Sequence, residues 1–129
     1  MPAQHRSYIA REDITPSSFV KRDTATDHGM LMCVAGDTPL GISHEGSRHA
    51  PLPNVVPMAA LEGESCRVYT DTDPCEIVAA VAIAAGDKLG PDANGQAIVV
   101  AAGVPFGAIA DAAAAAGERV KCTVQTGVA

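Results

Sequence analysis

The sequence predicts an all-β protein, a small barrel or sandwich of short strands built from two quasi-repeated units. In residues 119–126, Val120, Cys122 and Val124 alternate with polar side chains, as in a strand with one buried and one solvated face. The other apolar runs are short and are separated by turns rich in Gly, Pro and Asp. Short strands with frequent turns are typical of β barrels and sandwiches.

One pattern occurs in both halves of the chain. An apolar strand, a glycine turn and a Pro-containing strand run through residues 29–42, and the same order returns in residues 95–108. Further along, Gly-Glu pairs beginning at Gly63 and Gly117 each follow an alanine-containing stretch and open another strand. Because one such unit cannot bury its apolar face alone, we expect the two units to pack on each other.

The predicted strands lie within quasi-repeats of about residues 19–70 and 77–128. They cover residues 19–20, 30–35, 40–43, 65–70, 77–83, 97–102, 107–110 and 119–126. Residues 112–116, all alanine, favour a helix, with Asp111 as N-cap and Gly117 as the left-handed terminator. The fold is therefore expected to contain at most one short helix.

Two segments lack the periodicity of a core element. Residues 1–18 mix charges with prolines and are predicted to form an extended amino-terminal arm beside a single β domain, residues 19–129. Residues 43–57 carry three prolines and are expected to run over the surface or onto a partner. Their apolar and cationic side chains are the candidate interface residues. These are Tyr8, Ile9, Arg11, Arg48, Leu52, Val55 and Val56.

Charge and composition restrict the partners. The net charge is −6, from 15 acidic and 9 basic residues, with no run of like charge, so neither nucleic acid nor a membrane surface is expected as a partner. With no apolar segment long enough for a signal or a span, we expect cytosolic synthesis and reduced cysteines at Cys33, Cys66, Cys75 and Cys122. Two Phe, two Tyr and no Trp predict a core of small side chains, which favours stabilisation by oligomerisation.

No complete metal site is visible in the sequence. His44, His49, Cys66 and Cys75 are a candidate set, but none of them forms the close ligand pair usual in structural zinc sites. The acidic cluster in residues 71–76 lacks the glycine and the bidentate Glu of an EF-hand loop, so a solvated turn is expected there. We therefore predict no metal and no cofactor.

Catalytic motifs are incomplete as well. Cys33 opens a Cys-Val-Ala-Gly-Asp-Thr segment similar to the start of an intein, but the later intein blocks are missing and the repeat places Val100 opposite Cys33. Lys88, in Gly-Asp-Lys-Leu, is similar to the lysine hairpin of lipoyl and biotinyl carrier domains. We expect no enzyme and no catalytic residue. A carrier or enzyme accessory domain modified at Lys88 is the alternative.

The carboxy-terminal part, about residues 77–128, resembles the capsid cement, or decoration, proteins of tailed bacteriophages. The resemblance rests on Pro-Phe-Gly-Ala at residues 105–108, Asp-Ala-Ala at 111–113, the Gly-Glu pair at 117–118 and the alternating strand that follows. It implies a β barrel or sandwich, assembled in the host cytoplasm, that coats the outer surface of the phage head. The implied partner is the major capsid protein, the implied role is capsid stabilisation, and a homo-oligomer is expected, with a trimer favoured.

Overall fold

The described residues form ten β-strands, which confirms the predicted all-β class. The computed structural model describes residues 5–25, 27–44 and 58–129, without the side chains of His5 and Arg6. No helix that could cross a membrane is found in these ranges. The strands are β1 (His5–Ala10), β2 (Phe19–Asp23), β3 (Gly29–Met32), β4 (Gly41–Ser43), β5 (Ser65–Tyr69), β6 (Pro74–Val78), β7 (Lys88–Pro91), β8 (Ala97–Val99), β9 (Pro105–Ala110) and β10 (Arg119–Val128).

Strands β1–β5 make the first β unit, a closed barrel with the order β1-β3-β2-β4-β5. Its pairs are antiparallel except β1 and β3, which run parallel with Ala10 opposite Met30. Strands β6–β10 make the second β unit, a sheet with the order β6-β10-β9-β7-β8. A parallel bridge between Ala79 and Ala97 joins the end of β6 to β8.

The second unit repeats the first, strand for strand. If β1 to β5 are matched in order with β6 to β10, the neighbours around the two units are the same, and the parallel contact falls at the same place in both. The Arg11 N–H donates to Met30 O at 2.9 Å, and the Ala80 N–H donates to Ala97 O at 2.8 Å. The internal repeat read in the sequence is therefore a repeat of topology.

A recurring turn precedes β2, β5, β7 and β10. Each turn begins with an apolar residue that forms an isolated β-bridge, and the residue three positions later has a positive φ. These residues are Ser17 (51°), Gly63 (88°), Gly86 (90°) and Gly117 (87°). The bridges pair Ile14 with Ala60 and Ile83 with Ala114. The helix predicted at residues 112–116 is wrong, because Ala114 holds an extended bridge to Ile83 and the Ile83 N–H donates to Ala114 O at 2.9 Å. Tertiary pairing overrides the helix propensity of alanine here.

The amino-terminal segment does not stand apart from the core as predicted. β1 pairs with β5 over five residues and with β3, and Ala10 and Ile14 are completely buried. The prediction of an arm is therefore wrong for residues 5–18, whose mixed composition hides one strand and one turn of the barrel.

Two further strands differ from the prediction. β6 begins and ends earlier than the predicted strand at residues 77–83, because Ala80 and Val81 bend away after the bridge at Ala79. β7 was not predicted, since its Gly90 and Pro91 are typical of turns. Gly90 lies against Val100, and a Cβ at this position would clash with the Val100 side chain. A glycine here permits close approach of β7 and the chain that follows β8.

Within the part of the chain that the structure describes, the core consists of two clusters. One belongs to the first unit and contains Ile14, Val20, Met30 and Val68. The other is centred on the second unit but includes Phe19 and two further residues of the first unit, all buried. The two units therefore share one apolar interface, as the repeat predicted.

Candidate functional site

Tyr8, one of the candidate interface residues, lies in the barrel core and is only 5% exposed. Its ring packs in the first unit's cluster, and the Arg22 guanidinium carbon lies 5.9 Å from the ring centroid. Tyr8 therefore stabilises the barrel and offers almost no surface to a partner. The expectation that it lacked a place in the core is wrong.

Ile9 and Arg11 are exposed, as a contact surface requires. Ile9 is 41% exposed on the outer face of β1, beside the buried Tyr8 and Ala10. The Arg11 Nε lies 3.9 Å from an Asp23 carboxylate oxygen. The remaining candidates, Arg48, Leu52, Val55 and Val56, lie outside the described residues, as does most of the predicted excursion at residues 43–57.

A cleft of about 780 Å³ lies between the two units. Its first-unit wall includes Lys21, Met32 and Cys33, and its second-unit wall includes Asn94 and Arg119. The β7–β8 turn, residues 92–96, reaches across from the second unit to form one side. The cleft is thus a product of how the units dock.

An ion pair in the cleft stabilises the fold. The Lys21 Nζ lies 2.8 Å from an Asp37 carboxylate oxygen, and the same oxygen accepts a hydrogen bond from the Val34 N–H at 2.9 Å. The hydrogen bond from Lys21, reinforced by Val34, lowers the pKa of Asp37, and the same pair raises the pKa of Lys21. Both groups therefore stay charged near neutral pH and close the turn after β3.

Cys33 lines the cleft but is not activated. It is 1% exposed, and burial, with a further contribution from Asp37, raises the pKa of its thiol to about 12. Burial also raises the pKa of Cys66 to about 11. Since the thiolate is the nucleophile, both behave as small apolar groups at neutral pH. All four cysteines are free, and Cys75 lies across from Cys122 with 3.8 Å between the sulfur atoms.

Acidic residues close turns throughout the surface. The Glu64, Asp87 and Glu118 carboxylates each accept a hydrogen bond from the N–H three residues earlier, at 2.7 to 2.9 Å. Asp71 and Asp73 are also bound, with Asp71 accepting from Thr126 and Asp73 from the Thr70 N–H. Asp73 is only 2% exposed, so the solvated turn predicted for residues 71–76 is wrong at this position.

Metal-ligating side chains do not gather within the ranges that the structure covers: no group of three or more His, Cys, Asp or Glu there could hold an ion. His44 instead stacks on Tyr69, with ring centroids 6.3 Å apart. His49 lies outside those ranges.

Lys88 does not occupy the tip of a hairpin, where a carrier domain presents its lysine. It is the first residue of β7, opposite Ile109, and its Nζ lies 5.2 Å from the centroid of the Phe106 ring. A lysine held against a ring inside a sheet lacks the reach of a swinging arm.

Sequence reasoning missed the contact that organises this region. The Phe19 N–H donates to Gly95 O at 2.8 Å, and a Cβ on Gly95 would lie 2.8 Å from Met32 Cε. The signal was present in the Asn-Gly pair of the β7–β8 turn, which predicted a turn but not its partner.

The sequence matches no protein-family model and no curated protein. Among solved structures, the chain is similar to the one described as the crystal structure of head fiber gp8.5 N base in bacteriophage phi29. The TM-score is 0.67 at 13% sequence identity, and the match covers 95% of this chain and 93% of that chain. At this identity the likeness shows a shared fold that extends over both β units.

Proposed function

We propose that the protein is a structural component of a tailed-phage head that binds the outer surface of the assembled capsid and stabilises it. The observation that carries this proposal is the fold shared with a phage head fiber base over almost the full length of both chains. The carboxy-terminal resemblance to capsid decoration proteins supports the same assignment from the sequence. The shared backbone arrangement and the turn motifs are different features, and each supports the assignment separately.

The described surface suits a binding role. Ile9 presents an apolar side chain on β1, and Arg11 adds a cation two residues further on. We expect both to contact the major capsid protein, together with residues 45–57. A single small contact of this kind is weak, but many copies on one shell, or several in one oligomer, raise the overall affinity. A trimer remains the favoured oligomer, and the virion surface the expected location.

The test is sedimentation of purified protein with capsid shells that lack it. We expect saturable binding, and a higher temperature of shell disruption, because a ligand selective for the assembled state must stabilise that state. Ile9→Asp should weaken binding, whereas Val128→Asp, at another exposed apolar residue, should leave it unchanged. Failure to bind the cognate shell saturably would overturn the proposal.

The carrier alternative is tested on the same material. Intact mass would show a lipoyl or biotinyl group on Lys88 as an added mass, and we expect the unmodified chain.

A further inference from the structure

The contact that the two units make through their hairpin turns is one-sided. The β7–β8 turn of the second unit docks on the first unit at a surface formed by Phe19, Met32 and Cys33, which we call the first seat. There the Phe19 N–H donates to Gly95 O, and Gly95 becomes buried. In the first unit's own β2–β3 turn, the described residues 24–25 and 27–28 are all exposed, so they are not buried against the second unit.

The repeat places an equivalent seat on the second unit. Counting from the parallel bridges, Val99 and Val100 occupy the positions of Met32 and Cys33. The pairs Val20 with Met32 and Leu89 with Val99 then put Lys88 at the position of Phe19, and we call Lys88, Val99 and Val100 the second seat. The correspondence includes hydrogen bonding, because the Cys33 N–H donates to Phe19 O and the Val100 N–H to Lys88 O, both at 3.1 Å.

The second seat is open. Val99 is 46% exposed, and Val81, which follows the bridge at Ala79 as Val99 follows the bridge at Ala97, is 41% exposed. The Lys88 N–H has no hydrogen-bond partner among the described residues, although the equivalent Phe19 N–H has one in Gly95. The second seat therefore combines a backbone donor that has no partner among the described residues with the exposed apolar side chain of Val99, and such a surface suits a docking turn.

The β2–β3 turn has the features of the turn that fills the first seat. Asp23 accepts a hydrogen bond from the Ala25 N–H at 3.0 Å, as Asp92 does from the Asn94 N–H at 2.8 Å. Both turns also hold a residue with positive φ, but at different places, since His28 directly precedes β3 whereas Gln96 separates Gly95 from β8.

The two hairpins differ in length. Counted from equivalent strand pairs, Val20 with Met32 and Leu89 with Val99, the β2–β3 hairpin is longer by two residues. Both turns have five residues between their closing pairs, so the β2–β3 hairpin is longer by one residue in each strand.

We propose that the β2–β3 turn of a second copy of this chain docks on the second seat, with Asp27 O accepting from the Lys88 N–H. Asp27 has the place of Gly95 when the turns are aligned on the closing pairs, Asp23 with Gly29 and Pro91 with Ala97. The next carbonyl, His28 O, is already engaged, because it accepts from the Ile9 N–H at 2.7 Å.

Each unit has one turn and one seat. Within a chain, the second unit's turn fills the first unit's seat, which leaves the β2–β3 turn of the first unit and the second seat unfilled. Repetition of the contact links copies head to tail, and such heterologous contacts give a finite oligomer when the ring closes.

The side chains of the second seat fit the different turn. Asp27 has a Cβ where Gly95 has none, and Val99 is shorter than Met32, whose Cε limits the space in the first seat. The exposed carboxylate of Asp27 also comes toward the positive charge of Lys88. Shape and charge therefore both favour this occupant.

The test uses purified protein without capsid, so its outcome is independent of the proposed function. Light scattering with size exclusion should give a mass that is a multiple of the 13.1 kDa chain. Val99→Asp should reduce that mass to one chain, because it places a carboxylate on the apolar part of the seat. Val128→Asp, a matched change at a valine that is 66% exposed, should leave the oligomer intact.

Disulfide trapping locates the contact directly. A protein with both His28→Cys and Val99→Cys should form covalent dimers and larger species on mild oxidation, whereas His28→Cys with Val128→Cys should not. A wild-type protein that is monomeric at high concentration overturns the proposal. So does an oligomer that withstands Val99→Asp and fails to cross-link through positions 28 and 99.

Discussion

Phe19 and Gly95 join the two β units through a 2.8 Å hydrogen bond from the Phe19 N–H to the Gly95 carbonyl. The Phe19 side chain is fully buried in the core that the units share, so backbone and side chain of one residue hold both units. This strand end and this turn therefore form one of the contacts through which the two repeats dock.

Gly95→Ala should test that junction. The alanine would have to adopt φ 78°, and its Cβ would lie 2.8 Å from Met32 Cε and 3.2 Å from Phe19 O. We expect a loss of about 2 to 4 kcal/mol in the free energy of unfolding, from backbone strain and displacement of the turn. Gly36→Ala is the control, since Gly36 has φ 85° but nothing within 4 Å, and it should lose only about 1 kcal/mol. Equal losses in urea denaturation would contradict a tight junction.

Ser17→Gly should stabilise the protein. Ser17 is fully buried with φ 51°, and its hydroxyl finds no partner among the described residues, whereas the three equivalent turns use glycine. Removing an unsatisfied hydroxyl and left-handed strain, against the greater unfolded-state entropy of glycine, should gain about 1 kcal/mol. The reverse change, Gly86→Ser, should lose stability. A lower melting temperature for Ser17→Gly would show that its hydroxyl is satisfied after all.

Ile14→Ala tests whether the amino-terminal segment belongs to the barrel. Ile14 is fully buried and bridged to Ala60, so we expect a loss of about 2 to 5 kcal/mol in the free energy of unfolding. Ile9→Ala, at an exposed site five residues earlier, should change the free energy of unfolding by less than about 0.5 kcal/mol.

Deletion of residues 1–15 removes β1 and should therefore unfold the first unit. A truncated protein that stays folded would show that residues 1–15 form an arm outside the core.

Thiol reactivity should follow burial. Burial raises the pKa of Cys33 to about 12 and that of Cys66 to about 11, so neither forms appreciable thiolate at about pH 8. Titration with a thiol reagent should therefore detect few thiols in the native protein and four after denaturation. Two or none in freshly purified, denatured protein would mean that the cysteines pair in disulfides.

The repeat and the alternating strand made much of the fold predictable. Val120, Cys122 and Val124 predicted β10 because local alternation reports a one-sided strand. β1 was not predictable in this way, since Tyr8 and Ala10 acquire their burial only from partners distant in sequence, β3 and β5. The helix predicted at residues 112–116 failed for the same reason, because the bridge between Ala114 and Ile83, which is distant in sequence, holds the chain extended there. The side chains of Ile9 and Arg11 identified them as candidate contacts in the sequence. Only the barrel shows that the neighbouring Tyr8 and Ala10 face inward.

Electron cryomicroscopy of cognate capsid shells incubated with the purified protein tests the proposed function most directly. We expect additional density on the outer surface, at regular sites, into which the two-unit β fold can be placed, and no such density on untreated shells. Shells that remain bare at saturating protein, under conditions in which the protein is folded, would contradict a role in capsid decoration.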